Sequence, residues 1–286
     1  MATEATAPAF RLVGLRKSFP GTLGLGRREV LHGIDLALAR GRNLGLVGPN
    51  GSGKSTLLRT LAGIERTSGG TLEVLGGSPD AGHVRRRIGF LPEVSPFPGE
   101  LSARAALDLL GSLQGMPRAE RKRRVPAFLE RVGLRESARR ALGRFSKGML
   151  RRFGLAQAFL HDPDLLLLDE PTAGLDAVGV GVLADLLGEA RARGASVVIS
   201  SHLFSDVLEH ADELAVLVDG RVAASGEPQA VVAGDGRVRL ELEDVDEATL
   251  DQLERAVQAA GGRVVFRGPG AGALLELYRR LEGGAR

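Results

Sequence analysis

The feature that most constrains the fold is a glycine-rich loop between a short apolar strand, predicted at residues 44–47, and an apolar helix, predicted at 54–63. The loop matches the pattern G-x-x-x-x-G-K-[ST]; it consists of Gly48, Pro49, Asn50, Gly51, Ser52, Gly53, Lys54, Ser55 and Thr56. Backbone N–H groups in such a turn, together with the positive end of the following helix, suit phosphate oxygens. The lysine can reach the β and γ phosphates, and the first hydroxyl can ligate Mg²⁺. The loop therefore predicts a binding site for a nucleoside triphosphate and Mg²⁺.

A second feature is an apolar strand, predicted at residues 165–168, that ends in two carboxylates, Asp169 and Glu170. Parallel strands deliver their last residues to the same carboxyl edge of a sheet, where the phosphate loop also lies. Asp169 is expected to orient Mg²⁺ or its water. Glu170 is expected to polarise the attacking water as a general base.

The alternation of strands and helices predicts an α/β core with a largely parallel sheet, interrupted by a helical insertion. The fold class expected for the chain is a P-loop NTPase core with a mostly parallel sheet, an antiparallel β subdomain and a helical insertion. Strands are predicted at residues 10–15, 30–39, 44–47, 71–75, 88–91, 165–168, 196–200 and 213–218. Helices are predicted at 54–63, 180–193 and 203–210, with a helical stretch over 103–142 that is interrupted at Gly115, Pro117, Pro126 and Gly133. The expected domain spans 8–234, and its helical subdomain spans about 100–160.

The character of the sequence changes after Gly226, and a small α+β C-terminal appendix is expected over residues 235–286. Its elements are a strand at 237–242, a helix at 247–260, an apolar strand at 264–266 and a second helix at 271–281. This order predicts a β-α-β-α unit.

Composition excludes several classes of protein. Without cysteine there can be no disulfide or thiolate metal site, and 43% hydrophobic with 26% charged residues is typical of a globular chain. No apolar run approaches the ~18 residues of a membrane span, and residues 1–10 lack the pattern of a secretory signal, so a cytosolic protein is expected. Aromatic residues make up only 4% and the net charge is +3, which argues against nucleic-acid binding.

Further motifs follow in a fixed order. Phe145, Ser146, Lys147, Gly148 and Met149 precede an apolar helix just ahead of the acidic strand. The run Pro-Thr-Ala-Gly-Leu-Asp ends at Asp176, and Ser-Ser-His ends at His202 after the next strand; Phe19 precedes the phosphate loop. In this order and spacing, over residues 8 to 230, the chain resembles the ABC ATPase family.

In this family, residues 145–149 stand where the signature motif lies. The resemblance implies a head-to-tail dimer in which each ATP lies between the phosphate loop of one protomer and the signature motif of the other. It implies that Ser146 and the amide of Gly148 bind the γ-phosphate in trans, and that Lys147 and Asp176 also belong to the nucleotide site, where Asp176 communicates across the dimer. It also implies that His202 contacts the γ-phosphate and that Phe19 stacks on adenine.

The sequence departs from the commonest family pattern in two places. The signature usually reads Leu-Ser-Gly-Gly-Gln, but here it contains Lys147 and Met149, and methionine cannot donate the hydrogen bond of an amide. Glu93 stands where the family usually has a glutamine that ligates Mg²⁺; its oxygen can still bind the metal. Both departures are similar to those of ABC-2-type exporters.

The resemblance thus implies an ATPase that powers a transporter through a separate transmembrane permease. The expected location is the cytoplasmic face of the cell membrane. Positive charges at 118–124 and 139–152 of the insertion suggest contact with lipid headgroups or with the permease, or else only a solvated helix face. Two alternatives stay open: a non-transport ABC ATPase, and a degenerate cassette that binds ATP without hydrolysing it. The transported substrate cannot be read from the sequence.

Overall fold

The computed structural model describes residues 8–21, 26–94, 97–202, 207, 211–232 and 247–259. The chain divides into two compact units, Met1–Val232 and Ala233–Arg286. The first unit contains two sheets and the helices that cover them, and it carries every residue proposed above for the site. The predicted boundary at 234/235 stays a prediction.

The smaller sheet is antiparallel and three-stranded. It consists of β1 (Phe10–Pro20), β2 (Arg27–Leu38) and β4 (Gly69–Val74) in the order β2-β1-β4. The inward residues of β1 and β2 alternate with exposed ones, as expected for strands with a single buried face. This sheet is the antiparallel β subdomain predicted from the sequence.

The larger sheet has six strands in the order β5-β6-β7-β3-β8-β9. These are β3 (Asn43–Val47), β5 (Ile88–Leu91), β6 (Leu165–Asp169), β7 (Ser196–Ser201), β8 (Glu213–Val218) and β9 (Arg221–Gly226). The first five strands run parallel, and β9 pairs antiparallel with β8. β9 was not predicted, because its residues are mostly exposed and show no apolar run.

Two apolar clusters pack on opposite faces of the parallel sheet. Along β6, Leu166 and Leu168 join the cluster on the helical side, while Leu165 and Leu167 join the cluster beneath the antiparallel sheet. Because both faces of the strand are buried, it is a continuous apolar run rather than an alternating one. The run ends at Asp169, so the acidic residue is fixed at the end of a rigid strand.

Helices connect the strands and form the insertion. They are α1 (Lys54–Leu61), α2 (Gly82–Arg85), α3 (Ala103–Leu113), α4 (Arg118–Arg131), α5 (Lys147–Phe159), α6 (Ala177–Ala192) and α7 (Pro228–Val232), with a 3-10 turn at Leu142–Arg144. Side chains cap three of them: Ser102 at α3, Ser146 at α5 and Asp176 at α6. Each cap satisfies a backbone N–H that a helix leaves unpaired at its first turn.

The predicted interruptions of the insertion are confirmed except one. Gly115 and Gly133 follow α3 and α4 with φ of 84° and 68°, in the left-handed region that ends helices. Pro117 precedes α4, as a residue next to a helix start should. Pro126 was wrongly read as an interruption, because α4 continues through it despite the missing N–H.

Of the appendix, the structure describes one helix, α8 (Glu247–Ala259), within the predicted 247–260. The strands predicted at 237–242 and 264–266 and the helix at 271–281 lie outside the described residues, as does most of the helix predicted at 203–210. No helix within the described ranges is both long and apolar enough to cross a bilayer.

Candidate functional site

The parallel register brings three predicted segments to one edge of the sheet. Val47, the last residue of β3, pairs with Ser201 of β7, and Asp169 of β6 pairs with Ser200. The phosphate loop follows Val47, and His202 follows Ser201. The acidic pair begins at Asp169 itself. They are therefore neighbours at the carboxyl edge, where open α/β sheets bind their ligands.

The phosphate loop folds back on the side chain of Lys54. Lys54 is 6% exposed, and its ammonium donates to the carbonyl oxygens of Gly48 at 2.7 Å and Pro49 at 3.2 Å. The N–H of Ser52 donates to Pro49 O, and its own carbonyl accepts from Gly220 between β8 and β9. The cation is thus held inside the loop by neutral dipoles rather than by a carboxylate.

Two glycines make this loop possible. A Cβ at Gly48 would lie 2.1 Å from the carbonyl oxygen of Leu217 in β8. Gly53, immediately before α1, has a φ of 106°, which L side chains rarely adopt. Close approach to β8 and the turn into the helix therefore both require glycine, as the sequence pattern implied.

The hydroxyl of Ser52 and one oxygen of Asp169 are buried, and neither has a hydrogen-bond partner among the described residues. The other carboxylate oxygen of Asp169 accepts from the Ser200 hydroxyl at 2.6 Å. Ser200 thus fixes the carboxylate and leaves its Oδ2 available. A buried, oriented oxygen of this kind fits a Mg²⁺ ion or a metal-bound water, which prefer carboxylate oxygen.

Glu170 adopts an unusual backbone conformation, with a φ of 48°. Its N–H donates to both the carbonyl oxygen and the hydroxyl of Ser200, each at 3.1 Å. Its Oε2 lies 2.9 Å from Nδ1 of His202, whose side chain is 51% exposed. The structure therefore joins the predicted base and the predicted histidine directly, with the carboxylate 11% exposed.

Arg151 on α5 is buried behind the acidic pair. Burial lowers the pKa of its guanidinium, while the nearby carboxylates of Asp169, Glu93 and Glu170 act in the opposite direction. It was predicted only as one of the positive charges at 139–152, on a helix face directed at lipid, permease or solvent. For Arg151 that interpretation is wrong, since the side chain is 6% exposed. The Glu93 side chain itself is exposed.

The signature residues lie at the start of α5. Ser146 caps the helix by accepting from the Met149 N–H at 3.2 Å, and both Ser146 and Lys147 are exposed. A Cβ at Gly148 would lie 3.3 Å from the Gly174 carbonyl oxygen, so the motif lies against the turn before α6. Asp176 caps α6, with its Oδ1 2.8 Å from the Gly179 nitrogen.

Phe19 lies near the end of β1, and the Lys17 ammonium lies 4.6 Å from its ring centroid. Lys17 also pairs with Glu65 at 2.8 Å and donates to the Arg66 carbonyl oxygen. These two contacts fix the Lys17 side chain, and its ammonium covers one face of the Phe19 ring in a cation–π contact. Phe19 is partly exposed, as a stacking platform has to be.

Comparison with known proteins agrees with this arrangement. The family model described as ABC transporter matches residues 31–173, from β2 through the turn after Glu170. The chain belongs to the ABC transporter family. The family and the α/β fold predicted from the sequence are both confirmed.

Curated ABC relatives match a larger part of the chain than the family model does. An uncharacterized ABC transporter ATP-binding protein of Synechocystis sp. is 36% identical over 78% of this chain and 63% of its own length. A Nod factor export ATP-binding protein I of Ralstonia nicotianae is 32% identical over 79% of this chain and 70% of its own. A daunorubicin resistance ATP-binding protein of Streptomyces coeruleorubidus is 35% identical over 76% and 69%.

Solved structures give the same fold. One described as the ATP-binding subunit of an ABC transporter superposes with a TM-score of 0.72 at 27% identity, covering 87% of this chain and 99% of that one. A dimeric ATP-binding cassette bound to ADP and Pi superposes with a TM-score of 0.70 at 23% identity, over 76% and 98%. The second likeness concerns the fold alone.

Two residues that matter at the ABC site were missed by sequence reasoning. The hydroxyl of Ser200 hydrogen-bonds to both acidic residues. Its position at the end of the strand next to β6 was the sequence feature that could have identified it. Arg151 contacts the same pair from α5, and nothing in the sequence separates it from its neighbour Arg152.

Proposed function

We propose that this chain is the ATP-binding and ATP-hydrolysing subunit of an ABC transporter, most closely of an ABC-2-type exporter. The observation that carries the proposal is the convergence at one sheet edge. Three neighbouring strands, β6, β7 and β3, end at this edge. At or just beyond their ends lie a buried lysine in a phosphate loop, an oriented carboxylate with a free oxygen, and a Glu170–His202 pair at 2.9 Å.

The loop binds the phosphates of ATP. Lys54 is to exchange its two carbonyl partners for β- and γ-phosphate oxygens, a charge-assisted contact that is stronger than the neutral ones. The buried hydroxyl of Ser52 lies in the same loop and can donate to phosphate. The N–H groups of residues 50–56, including those of Gly51, Ser55 and Thr56, line the turn into α1. Phe19 stacks on the adenine with the face that Lys17 leaves free.

A bound Mg²⁺ would be held by Ser55, by Asp169 and, directly or through water, by Glu93. The free, buried Oδ2 of Asp169 supports this assignment. When bound, the metal neutralises charge that develops on the phosphates during transfer. The glutamate at position 93 replaces a neutral ligand of the family pattern and adds a negative charge to the site.

Glu170 acts as the general base. Its carboxylate takes the proton of the attacking water, and the hydrogen bond with His202 keeps the carboxylate oriented. With its other ring nitrogen, His202 can contact the γ-phosphate. The partly exposed site leaves room for water and for a second protomer to close over it.

A second copy of the chain, or a related cassette, completes each site. At the start of α5, Ser146 and Lys147 are exposed and Gly148 is partly exposed, so a hydroxyl, an ammonium and a backbone N–H are available to the nucleotide of a second protomer. Asp176 lies at the cap of α6, beside the turn that these residues contact. ATP binding would join the two halves, and hydrolysis would release them.

Export through a separate transmembrane permease is supported by relatives named for Nod factor export and daunorubicin resistance. The location follows from this assignment: peripheral, at the cytoplasmic face of the membrane. Arginines of the insertion are candidates for contact with the permease, although Arg121 and Arg124 already pair with Asp108 and Asp162.

The hydrolysis assignment is tested by Glu170→Gln. We expect the variant to bind Mg-ATP with normal affinity and to lose nearly all steady-state turnover, since it keeps the shape of the site but lacks the base. Binding is measured with a fluorescent ATP analogue and turnover by phosphate release. Unchanged turnover would remove Glu170 from the mechanism, and absence of turnover in the unaltered chain would favour the degenerate cassette.

The transport assignment needs a different experiment. Affinity purification of the native protein from membranes should recover a polytopic membrane protein, with ATPase activity in the eluate. A soluble partner, together with intact turnover, would point to the non-transport ABC class instead.

A further inference from the structure

We propose that Arg151 is a positioning residue for hydrolysis: it fixes the backbone of Glu170 and of the loop at Glu93, and so sets where the catalytic carboxylate points. The inference rests on the proposed function, because it assigns a role relative to Glu170 as the base. Arg151 itself does not touch the nucleotide in this assignment.

The guanidinium of Arg151 donates to backbone carbonyls of two separate segments, residues 92–93 and residues 169–171. Nη1 donates to the loop after β5, Nη2 to the end of β6, and Nε to the turn that follows. The acceptors are the carbonyl oxygens of Pro92 at 2.6 Å, Glu93 at 3.2 Å, Asp169 at 2.7 Å, Glu170, and Pro171 at 3.3 Å. Arginine can do this because its planar group presents five N–H donors in a fixed fork.

The charge of Arg151 is not used in an ion pair. Within the described part of the chain no carboxylate lies at salt-bridge distance from it, although those of Asp169, Glu93 and Glu170 are close enough to favour its charged form. A buried cation is costly unless hydrogen bonds satisfy it. Here backbone carbonyls provide that satisfaction, so the side chain functions as a clamp on main chain.

The clamp acts on a residue with an unfavourable backbone conformation. A φ of 48° is strained for a non-glycine residue and persists only where neighbours impose it. Ser200 holds the N–H of Glu170, and Arg151 holds its C=O. With both ends fixed, the carboxylate is directed at His202. Without the clamp the peptide can relax toward an ordinary conformation, and the carboxylate turns with it.

Two substitutions test the role. Arg151→Met keeps the apolar stem and removes all five donors; Arg151→Lys keeps the charge but lacks the planar fork that reaches both segments. We expect kcat to fall about 100-fold for methionine and about tenfold for lysine, because misplacing a catalytic group by ~1 Å costs about 100-fold. The KM for ATP should stay within about twofold, since the phosphate loop and Phe19 are untouched.

A double-mutant cycle with Glu170→Gln separates positioning from general damage. Single-turnover hydrolysis of labelled ATP is followed for the full-length chain over hours, so that residual rates are measurable. If Arg151 acts through Glu170, adding Arg151→Met to Glu170→Gln should change the residual rate less than about twofold. A purely structural role would lower both backgrounds by the same factor.

Arg124→Met is the matched control. Arg124 is another largely buried arginine, but it pairs with Asp162 and Glu120, and among the described residues none of its ion pairs involves a site residue. It should lower the melting temperature and leave kcat unchanged. Normal turnover in Arg151→Met would overturn the inference, and so would a double variant in which the two losses of rate multiply. If Arg151→Met does not fold, a wild-type kcat in Arg151→Lys would overturn it instead. Absence of turnover in the unaltered chain would instead refute the proposed function.

Discussion

Ser200→Ala removes a single hydroxyl from the edge of the parallel sheet. That hydroxyl donates to Asp169 Oδ1 at 2.6 Å and accepts from the Glu170 N–H at 3.1 Å. The residue is fully buried, so water cannot replace the lost contacts. The substitution therefore disturbs the predicted metal ligand and the predicted base at the same time.

The loss of stability depends on which hydrogen bonds Asp169 and Glu170 keep after the substitution. A hydrogen bond to a charged acceptor contributes about 1.5–3 kcal/mol, and Asp169 Oδ1 loses that donor. Glu170 loses little, because its N–H retains the Ser200 carbonyl oxygen at 3.1 Å. A net loss of about 2 kcal/mol lowers the melting temperature by about 4–8 °C in a domain of this size. Loss of an orienting partner should also raise the Mg²⁺ concentration for half-maximal turnover by about 10–100-fold.

Ser196→Ala is the matched control, since it makes the same change in the same strand. Its hydroxyl accepts from the Gly41 N–H at 2.8 Å, at the opposite end of β7 from the site. It should cost about 1 kcal/mol and leave the Mg²⁺ requirement unchanged. Scanning calorimetry and a Mg²⁺ titration of ATPase activity measure both effects. Equal Mg²⁺ requirements in the two variants would refute the role given to Ser200.

Lys54→Ala should weaken binding of a fluorescent ATP analogue, and normal affinity would contradict the phosphate-loop assignment. Burial lowers the pKa of His161, so the folded state favours its neutral form; stability should be full above the ordinary histidine pKa near ~6.5 and fall as pH drops below it. A pH series of melting temperatures should show this fall in the unaltered chain but less of it in His161→Gln. A Cβ at Gly89 would lie 2.3 Å from the Ala158 carbonyl oxygen, so Gly89→Ala should cost about 1–3 kcal/mol by calorimetry. Gly188→Ala, on the exposed face of α6 with open space around its Cα, should instead stabilise by about 0.5–1 kcal/mol.

Elements with a strong local signal were predictable from the sequence. The strand at 165–168 is apolar throughout because both of its faces are covered, and the phosphate loop needs its glycines for reasons that lie within a few residues. The exposed strand β9 lacked such a signal, since its place depends on pairing with β8. Pro126 was misread because a surface helix tolerated it.

The supporting residues of the site could not be predicted for a similar reason. Arg151 and Arg152 are adjacent and chemically identical, and only the packing of α5 against β5 and the neighbouring helices decides which one is buried. Ser200 became significant through its register partner in another strand, Asp169. Motif residues were recognisable because they must contact a ligand of fixed shape, whereas the residues that hold them depend on tertiary contacts.

ATP binding at this edge of the sheet should join two protomers. Light scattering of Glu170→Gln, with Mg-ATP and with Mg-ADP, tests this by the mass of the particle. We expect a dimer of twice 30.1 kDa with ATP and a monomer with ADP. A monomer in both nucleotides, or a dimer that ignores the nucleotide, would contradict it.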